Sequence, residues 1–420
     1  MTEKKTKVLV LSDHPLSPSG VGTQTKYMIE AMLKTGKYRF LCLGGAMKHH
    51  DYTPVKVEPY PEDWVIFPVD GYGTQEMLRS LINQQKPDIL WFMTDPRFYG
   101  WLWEIENEIR AAVPMVYYHV WDNYPYPQYN KPWYQSNDVV VTISKVTSDI
   151  VRTIAPEVEE HYVPHAVDTD IFQKIDADAI SQFKSNTIPD SDNKLVFFWN
   201  NRNARRKMSG SLIWWFKEYL DKVGHDRAVL VVHTDPKDPH GQDLVAIMQN
   251  LGLTKGQVMI SREKLPAEHL AMMYNMADCT INISDAEGFG LATFESLACE
   301  TPIIVNMTGG LQEQVTDGTD WFGIGIEPSS KAIIGSQEVP YIYEDRISGD
   351  DFVNALVEFT NMTPEQRSKM GSAGRNHVLT NYSMEQFSER WDSILTMVTE
   401  KYGSWDTRKN YQSWELIEVK

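Results

Sequence analysis

At 420 residues the chain exceeds what one hydrophobic core organises, so two domains of roughly 150 to 220 residues are expected. Its composition, 42% hydrophobic and 23% charged, excludes the disordered and fibrous classes. A formal net charge of −17 opposes nonspecific attraction to nucleic acid or anionic lipid, leaving only a local basic patch or peripheral membrane contact open.

The opening MTEKKTK runs directly into a strand-length apolar run at 8–11, so no secretory signal is expected. No stretch approaches the ~20 apolar residues of a membrane-spanning helix. Cys42, Cys279 and Cys299 are widely spaced and odd in number, which suits buried thiols in a reducing, cytoplasmic setting better than disulfides or a metal site.

In chain order, KVLVLS (7–12) precedes the helical GTQTKYMIEAMLKTG, and DILWFMT (88–94) precedes a helical pattern around 101–112. MVYYHV (115–120) and VVVTIS (139–144) follow, the latter with the helical KVTSDIVRTI. The rhythm pauses in SQFKSNTIPDSDNK, which reads as linker. It resumes with KLVFFWN, the helical SGSLIWWFKEYLDKVG, AVLVVHT, GQVMIS, the helical PAEHLAMMYNMA, CTINIS, GLATFESLACE and TPIIVNM. Strands alternating with helices imply parallel sheets with right-handed crossovers, so both halves are α/β and doubly wound. The expected division is a domain over 1–170, a linker over 171–193, a second domain over 194–380, and a helical tail over 381–420 packing on the first domain. A helix break is expected at 371–374, and 320–350, without periodicity, reads as loop-rich.

In such sheets ligands bind beyond the carboxyl ends of the strands. In the second half those ends gather Arg202, Arg205, Arg206, Lys207 and the Gly-x-Gly turn 287–290, a set that suits a phosphate-bearing ligand. The glycines let backbone approach a ligand, and a helix beginning at Leu291 offers its amides and dipole to an anion. Glu295, one turn in, leans back toward the same place, and paired carboxylates accept well from sugar hydroxyls. Taken alone, Glu287 reads as a solvated turn, Glu295 as an exposed helix face, and the basic turn as surface or a nucleic-acid contact. In the first half Gly20 and Gly22 follow the first strand, either as simple turn glycines or to let a loop approach the ligand. His119 ends a strand beside Tyr117, Tyr118 and Trp121, where taken alone it reads as a satisfied core histidine. The aromatic tract 117–134 suits stacking on sugars or bases, with packing on its own domain as the plainer reading. Asp168-Thr-Asp170 and Asp176-Ala-Asp178 match a metal-binding pattern that arises easily by chance.

The stretch SDAEGFGLATFESLACETPIIVNMTGGLQEQVTDG resembles the donor-site segment of the family-4 (group 1) glycosyltransferases, with their Glu-x7-Glu arrangement at Glu287 and Glu295. The resemblance continues through YNMADCTINIS, VPHAVDTDIF and SPSGVGTQTKYMIEAMLKTG. It implies the GT-B architecture, two Rossmann-like domains facing a cleft. It also implies retaining, metal-independent transfer of a sugar from a nucleoside-diphosphate sugar to a hydroxyl acceptor, with no cofactor and with the leaving phosphate taking the acceptor proton. On that resemblance Glu287 contacts the transferred sugar, and Gly288, Phe289, Gly290 and Leu291 present amides to sugar and phosphate. Glu295 holds the ribose, Arg202 and Lys207 bind the diphosphate, and Gly20, Gly22 and His119 contribute from the first domain. Glu300 and Asn201 stand where the family commonly has glycine, His165 where it often has Asn, and 320–350 has no clear counterpart. Other readings are a non-catalytic nucleotide-sugar or glycan-binding protein of this fold, an enzyme glycosylating modified DNA bases, and an epimerase.

Overall fold

The computed structural model describes residues 4–414, apart from the side chain of Asp192. Among the described residues two compact units emerge, one comprising 4–166 with 384–414 and the other residues 167–383. In the first, β1 (Thr6–Asp13), β2 (Tyr38–Gly45), β3 (Val55–Lys56), β4 (Trp64–Pro68), β5 (Ile89–Thr94), β6 (Met115–His119), β7 (Val139–Thr142) and β8 (Glu160–Tyr162) form one sheet, ordered β3-β4-β2-β1-β5-β6-β7-β8. Only the β3–β4 pairing is antiparallel. Strands such as ILWFMT are buried along their whole length, as a parallel sheet covered on both faces requires.

The second sheet is wholly parallel and runs β11-β10-β9-β12-β13-β14. Its strands are β9 (Leu195–Asn200), β10 (Ala228–His233), β11 (Val258–Ser261), β12 (Cys279–Asn282), β13 (Ile303–Asn306) and β14 (Gly323–Ile326). Phe197, Trp199, Leu230 and Ile281 of these strands pack with Phe216 and Phe352 in its core. Register sets the site: Asn200 lies opposite His233, so the loops after β9 and β10 leave the sheet side by side.

Helix Met384–Tyr402 belongs to the first unit, where Trp391 meets Trp91 and Tyr118 edge-on at ring separations of 5.7 and 5.0 Å. Asp392 accepts from Tyr38 Oη at 2.7 Å and pairs with Lys37. Residues 415–420 of the expected tail lie outside the described residues.

Three expectations need correction. The stretch 171–193 is not bare linker: it carries helix Ala177–Thr187, capped by Asp176, and sits inside the second unit. That helix buries none of its residues, so no apolar stripe announced it. Residues 320–350 are not loop-rich either, since they supply β14 and an antiparallel hairpin of β15 (Ser330–Ile334) and β16 (Ile342–Arg346). Gly323 and Gly325 blur the apolar pattern of β14, yet a Cβ on Gly323 would lie 1.9 Å from Ile303 O, so close strand packing requires glycine there. Finally, helix Pro364–Asn381 runs unbroken through Gly371 and Gly374, started by a Thr363/Gln366 capping box. Those glycines serve close approach: a Cβ on Gly371 would meet Glu300 O at 1.9 Å, and one on Gly374 would meet Leu297 Cδ2 at 2.6 Å.

Glu300 itself adopts φ +62°, a left-handed conformation costing a side-chain-bearing residue about 1–2 kcal/mol. Glu300→Gly removes that strain but adds unfolded-state freedom, so a net gain of about 0.5–1 kcal/mol is expected. Calorimetry should show a midpoint rise of about 1–4 °C, whereas Gly371→Ala should lower it.

Candidate functional site

The carboxyl edge of the second sheet collects the candidate donor residues. After β9, the short 3-10 turn Arg205–Lys207 ends in Met208, whose left-handed backbone starts helix Ser209–Val223. This turn delivers Lys207, buried, to Glu287 in the loop after β12, and its Nζ is hydrogen-bonded to Glu287 Oε2. Arg206 Nη1 donates to Ala286 O at 2.6 Å and lies 3.9 Å from the same carboxylate. Asn282 Nδ2 donates to Glu287 Oε2 at 3.3 Å, and Ser284 Oγ, which donates to Asn282 Oδ1 at 2.5 Å, lies 3.4 Å from the same oxygen. Burial raises the Glu287 carboxyl, but the Lys207 and Arg206 charges and these hydrogen bonds outweigh it, holding it at about 2.

The glycine turn is set by close packing. Gly310 N donates to Glu287 O at 3.0 Å, and a Cβ on Gly309 would lie 1.8 Å from that oxygen. Gly290 has φ +95° and precedes helix Leu291–Ala298, whose first turn has no side-chain cap. A Cβ on Gly310 would crowd Gly288 O at 2.6 Å. The Phe289 ring is buried edge-on to Phe294, so only the backbone of Phe289 is suited to ligand contact.

Glu295 is half-buried and accepts from Tyr274 Oη at 2.7 Å, and Tyr274 in turn accepts from Asn200 Nδ2 at 2.9 Å. Burial pushes its carboxyl up to about 7, against the opposing Tyr274 bond. Arg202 is not brought to this cluster. Its exposed guanidinium forks onto Asp238, with Nε–Oδ2 at 2.7 Å and Nη2–Oδ1 at 3.2 Å, and touches His240 Nδ1. Asn201 has a buried Nδ2 without a hydrogen-bond partner among the described residues.

In the first unit Ser19 caps helix Gly20–Lys34 by accepting from Gly22 N, and donates to Asp13 Oδ2 at 2.6 Å. A Cβ on Gly22 would meet Ser17 Oγ at 2.5 Å, so glycine is required there, while Gly20 is exposed. The His119 ring is fully buried between tyrosines. Tyr117 Oη donates to Thr94 O at 2.7 Å, so it accepts from His119 Nδ1 at 3.1 Å, leaving Nε2 to accept from Tyr134 Oη at 2.9 Å. Burial lowers the imidazole to about 3, so it is neutral, and the ring has the environment of a satisfied core histidine. His165 is likewise buried and joined to Tyr118 Oη at 2.8 Å. The aromatic tract packs largely on its own unit: Trp121 and Tyr134 are buried, and Tyr124 and Tyr126 both donate to Asp149. Both Asp-x-Asp pairs serve backbone, since Asp168 accepts from Asp170 N and Asp176 caps its helix.

Sequence reasoning placed Asn200 and Ser284 at strand ends without giving either a role, and passed over Asn282, Tyr274 and the Gly309-Gly310 pair. All but Tyr274 lie at or just beyond strand ends, where the rule applied to the charged residues would have found them; nothing in the sequence linked Tyr274 to Glu295.

Lys207→Met strands a buried carboxylate and should destabilise the protein by about 3–5 kcal/mol at neutral pH in urea unfolding, with Glu287→Gln restoring most of it in the double variant. Because the Glu287 carboxyl is depressed, its contribution is present above its ordinary 4.5 and lost as pH falls toward about 2. Glu295 behaves oppositely: raised from 4.5 to about 7, it favours folding below 4.5 and loses that contribution as pH rises through 7. Glu295→Gln, unable to ionise, should therefore raise the unfolding midpoint at about pH 8 and leave it nearly unchanged at about pH 4.

Residues 180–377 match the family described as glycosyl transferases group 1. The chain is 26% identical over 265 residues to the GDP-mannose-dependent alpha-(1-6)-phosphatidylinositol monomannoside mannosyltransferase of Mycolicibacterium smegmatis, covering 62% of each chain. It is 21% identical over 269 residues to the alpha-maltose-1-phosphate synthase of that organism, covering 63% of this chain and 64% of the relative. The alignments therefore span less than two thirds of these relatives' lengths. Among solved structures, sucrose-phosphate synthase from Thermosynechococcus elongatus superposes with a TM-score of 0.75 at 16% identity, over 94% of this chain and 100% of that one. Anabaena HepE, solved in complex with UDP and glucose, does so with a TM-score of 0.68 at 13% identity, over 94% and 100%. The segment 180–377 is similar to the group 1 glycosyl transferases, and the pair of Rossmann-like units has the GT-B architecture.

Proposed function

We propose that the protein transfers a sugar from a nucleoside-diphosphate sugar to a hydroxyl acceptor on a glycan, a lipid-linked molecule or a small molecule. The observation that carries this reading is the Lys207–Glu287 pair, set between β9 and β12 beside the glycine turn. Breaking the bond to the nucleotide leaves a diphosphate with growing negative charge. Preorganised cations and helix amides stabilise such charge without metal or cofactor. When a diphosphate arrives, Lys207 exchanges the carboxylate for a phosphate oxygen, and Glu287 becomes free to accept from a sugar hydroxyl. Glu295 accepts from the ribose, and the amides from Gly288 to Leu291 face the phosphate. Arg202 joins by leaving Asp238 for the phosphates.

The reaction retains configuration, with the leaving phosphate taking the acceptor proton. Acceptor recognition falls to the first unit, where Gly20 and Gly22 open the helix after β1 and His119 contributes its main chain rather than its sealed ring. Three buried, free cysteines suit a cytoplasmic setting. The curated relative uses GDP-mannose and HepE was solved with UDP, so donors of both bases are the first to test.

Purified protein should release nucleoside diphosphate from at least one of a panel of UDP-, GDP- and ADP-sugars. Lys207→Ala and Glu295→Ala should each lower kcat/KM about 100-fold or more. A chain that neither binds nor cleaves any of these donors, or a Lys207→Ala variant with unchanged rates, defeats the reading. Tight donor binding without release, across many acceptors, would instead mark a binding protein of this fold.

A further inference from the structure

The hairpin β15–β16 lies against the donor loop rather than standing apart from it. Glu344, 1% exposed, takes a forked contact from Arg205, with Nη1 to Oε2 at 3.0 Å and Nη2 bonded to Oε1. Arg346 Nη2 donates to the same carboxylate at 3.2 Å, and its Nε lies 3.8 Å from Asp285 Oδ2. Main chain reinforces the side chains: Asp345 N donates to Asp285 O at 2.9 Å, and Asn306 Nδ2 bridges Ser284 O and Asp345 O at 2.9 and 2.8 Å. On its other side the loop meets the basic turn, where Asp285 N donates to Arg206 O at 2.8 Å. The segment 284–287 is thus held between residues 205–207 and β16, and Glu287 and Lys207 are the last residues of the two segments so held.

We propose that Glu344 and Arg346 are positioning residues for donor binding, fixing Arg205 and the 284–287 loop in the geometry in which Lys207 and Glu287 receive a diphosphate. The inference rests on the donor site described above and assigns that site a component outside its Glu-x7-Glu segment. A forked guanidinium–carboxylate contact constrains orientation as well as distance, and a buried carboxylate shared by two arginines ties the basic turn to the loop as one piece. Loss of such support misplaces binding groups by fractions of an ångström without removing any of them.

The test measures binding of UDP, GDP and ADP to the full chain by calorimetry, with steady-state kinetics on the corresponding sugar donors. Glu344→Gln should raise the Kd of the nucleotide that the wild type binds, and the donor KM, about tenfold, with a smaller change in kcat. Arg346→Gln should do the same, which covers the case in which Glu344→Gln fails to fold. Arg205→Ala combined with Glu344→Gln should be no worse than the more impaired single variant, since both cut one link. Ile333→Ser, at a 70% exposed position on the same hairpin, should change nothing. A merely structural role would lower the active fraction, and hence kcat, at constant Kd and KM; that outcome, or a folded Arg346→Gln chain with wild-type Kd and KM, overturns the inference while leaving the functional reading intact. A wild-type chain that binds none of the three nucleotides overturns both.

Discussion

Most of the second unit's carboxyl edge depends on one buried ion pair. Lys207 and Glu287 are both nearly enclosed, so neither charge is tolerable there without the other. Their contact joins β9 to β12 beyond the point where main-chain pairing stops, and it dictates the rest: a left-handed Met208 to turn the chain after Lys207, and glycines at 309 and 310 to admit the backbone of Glu287. Under the donor-binding reading proposed above, a diphosphate replaces a partner already desolvated, so little further dehydration of the ammonium is required.

The basic turn divides its labour in a way that charge alone does not suggest. Four cations occur within six residues, yet Arg202 is held by Asp238, Arg205 by Glu344, and Lys207 by Glu287, while Arg206 holds main chain at Ala286. The anchors come from three places: Asp238 from the loop after β10, Glu344 from β16, and Ala286 and Glu287 from the loop after β12. A patch that reads as a solvated run is therefore a hub, in which every cation fixes one neighbouring loop.

The fold was legible where burial imposes continuous apolar runs, as in KLVFFWN and DILWFMT, and where strands and helices alternate. Helix Ala177–Thr187 was hidden because it buries nothing, and β14 because its glycines answer to a neighbouring strand instead of to the local pattern. The Glu287–Glu295 region was legible because strand ends, a glycine turn and a helix start follow one another within a short segment. Partners were not legible: that Arg202 meets Asp238, or that Tyr274 meets Glu295, depends on distances between elements remote in sequence. His119 shows the opposite case: the tyrosines beside its ring include Tyr117, its near neighbour in the strand.

The connectivity of the first unit has a consequence for synthesis. Residues 167–383 are inserted between its sheet and its last helix, so a ribosome finishes the second unit before the first has all its parts. Until residues 384–402 emerge, Trp91 and Tyr118 lack the indole of Trp391 that packs against both. The nascent first sheet thus waits through more than half the chain's translation with an apolar face uncovered, a state that invites holdase chaperones and makes the protein's yield sensitive to the speed of elongation.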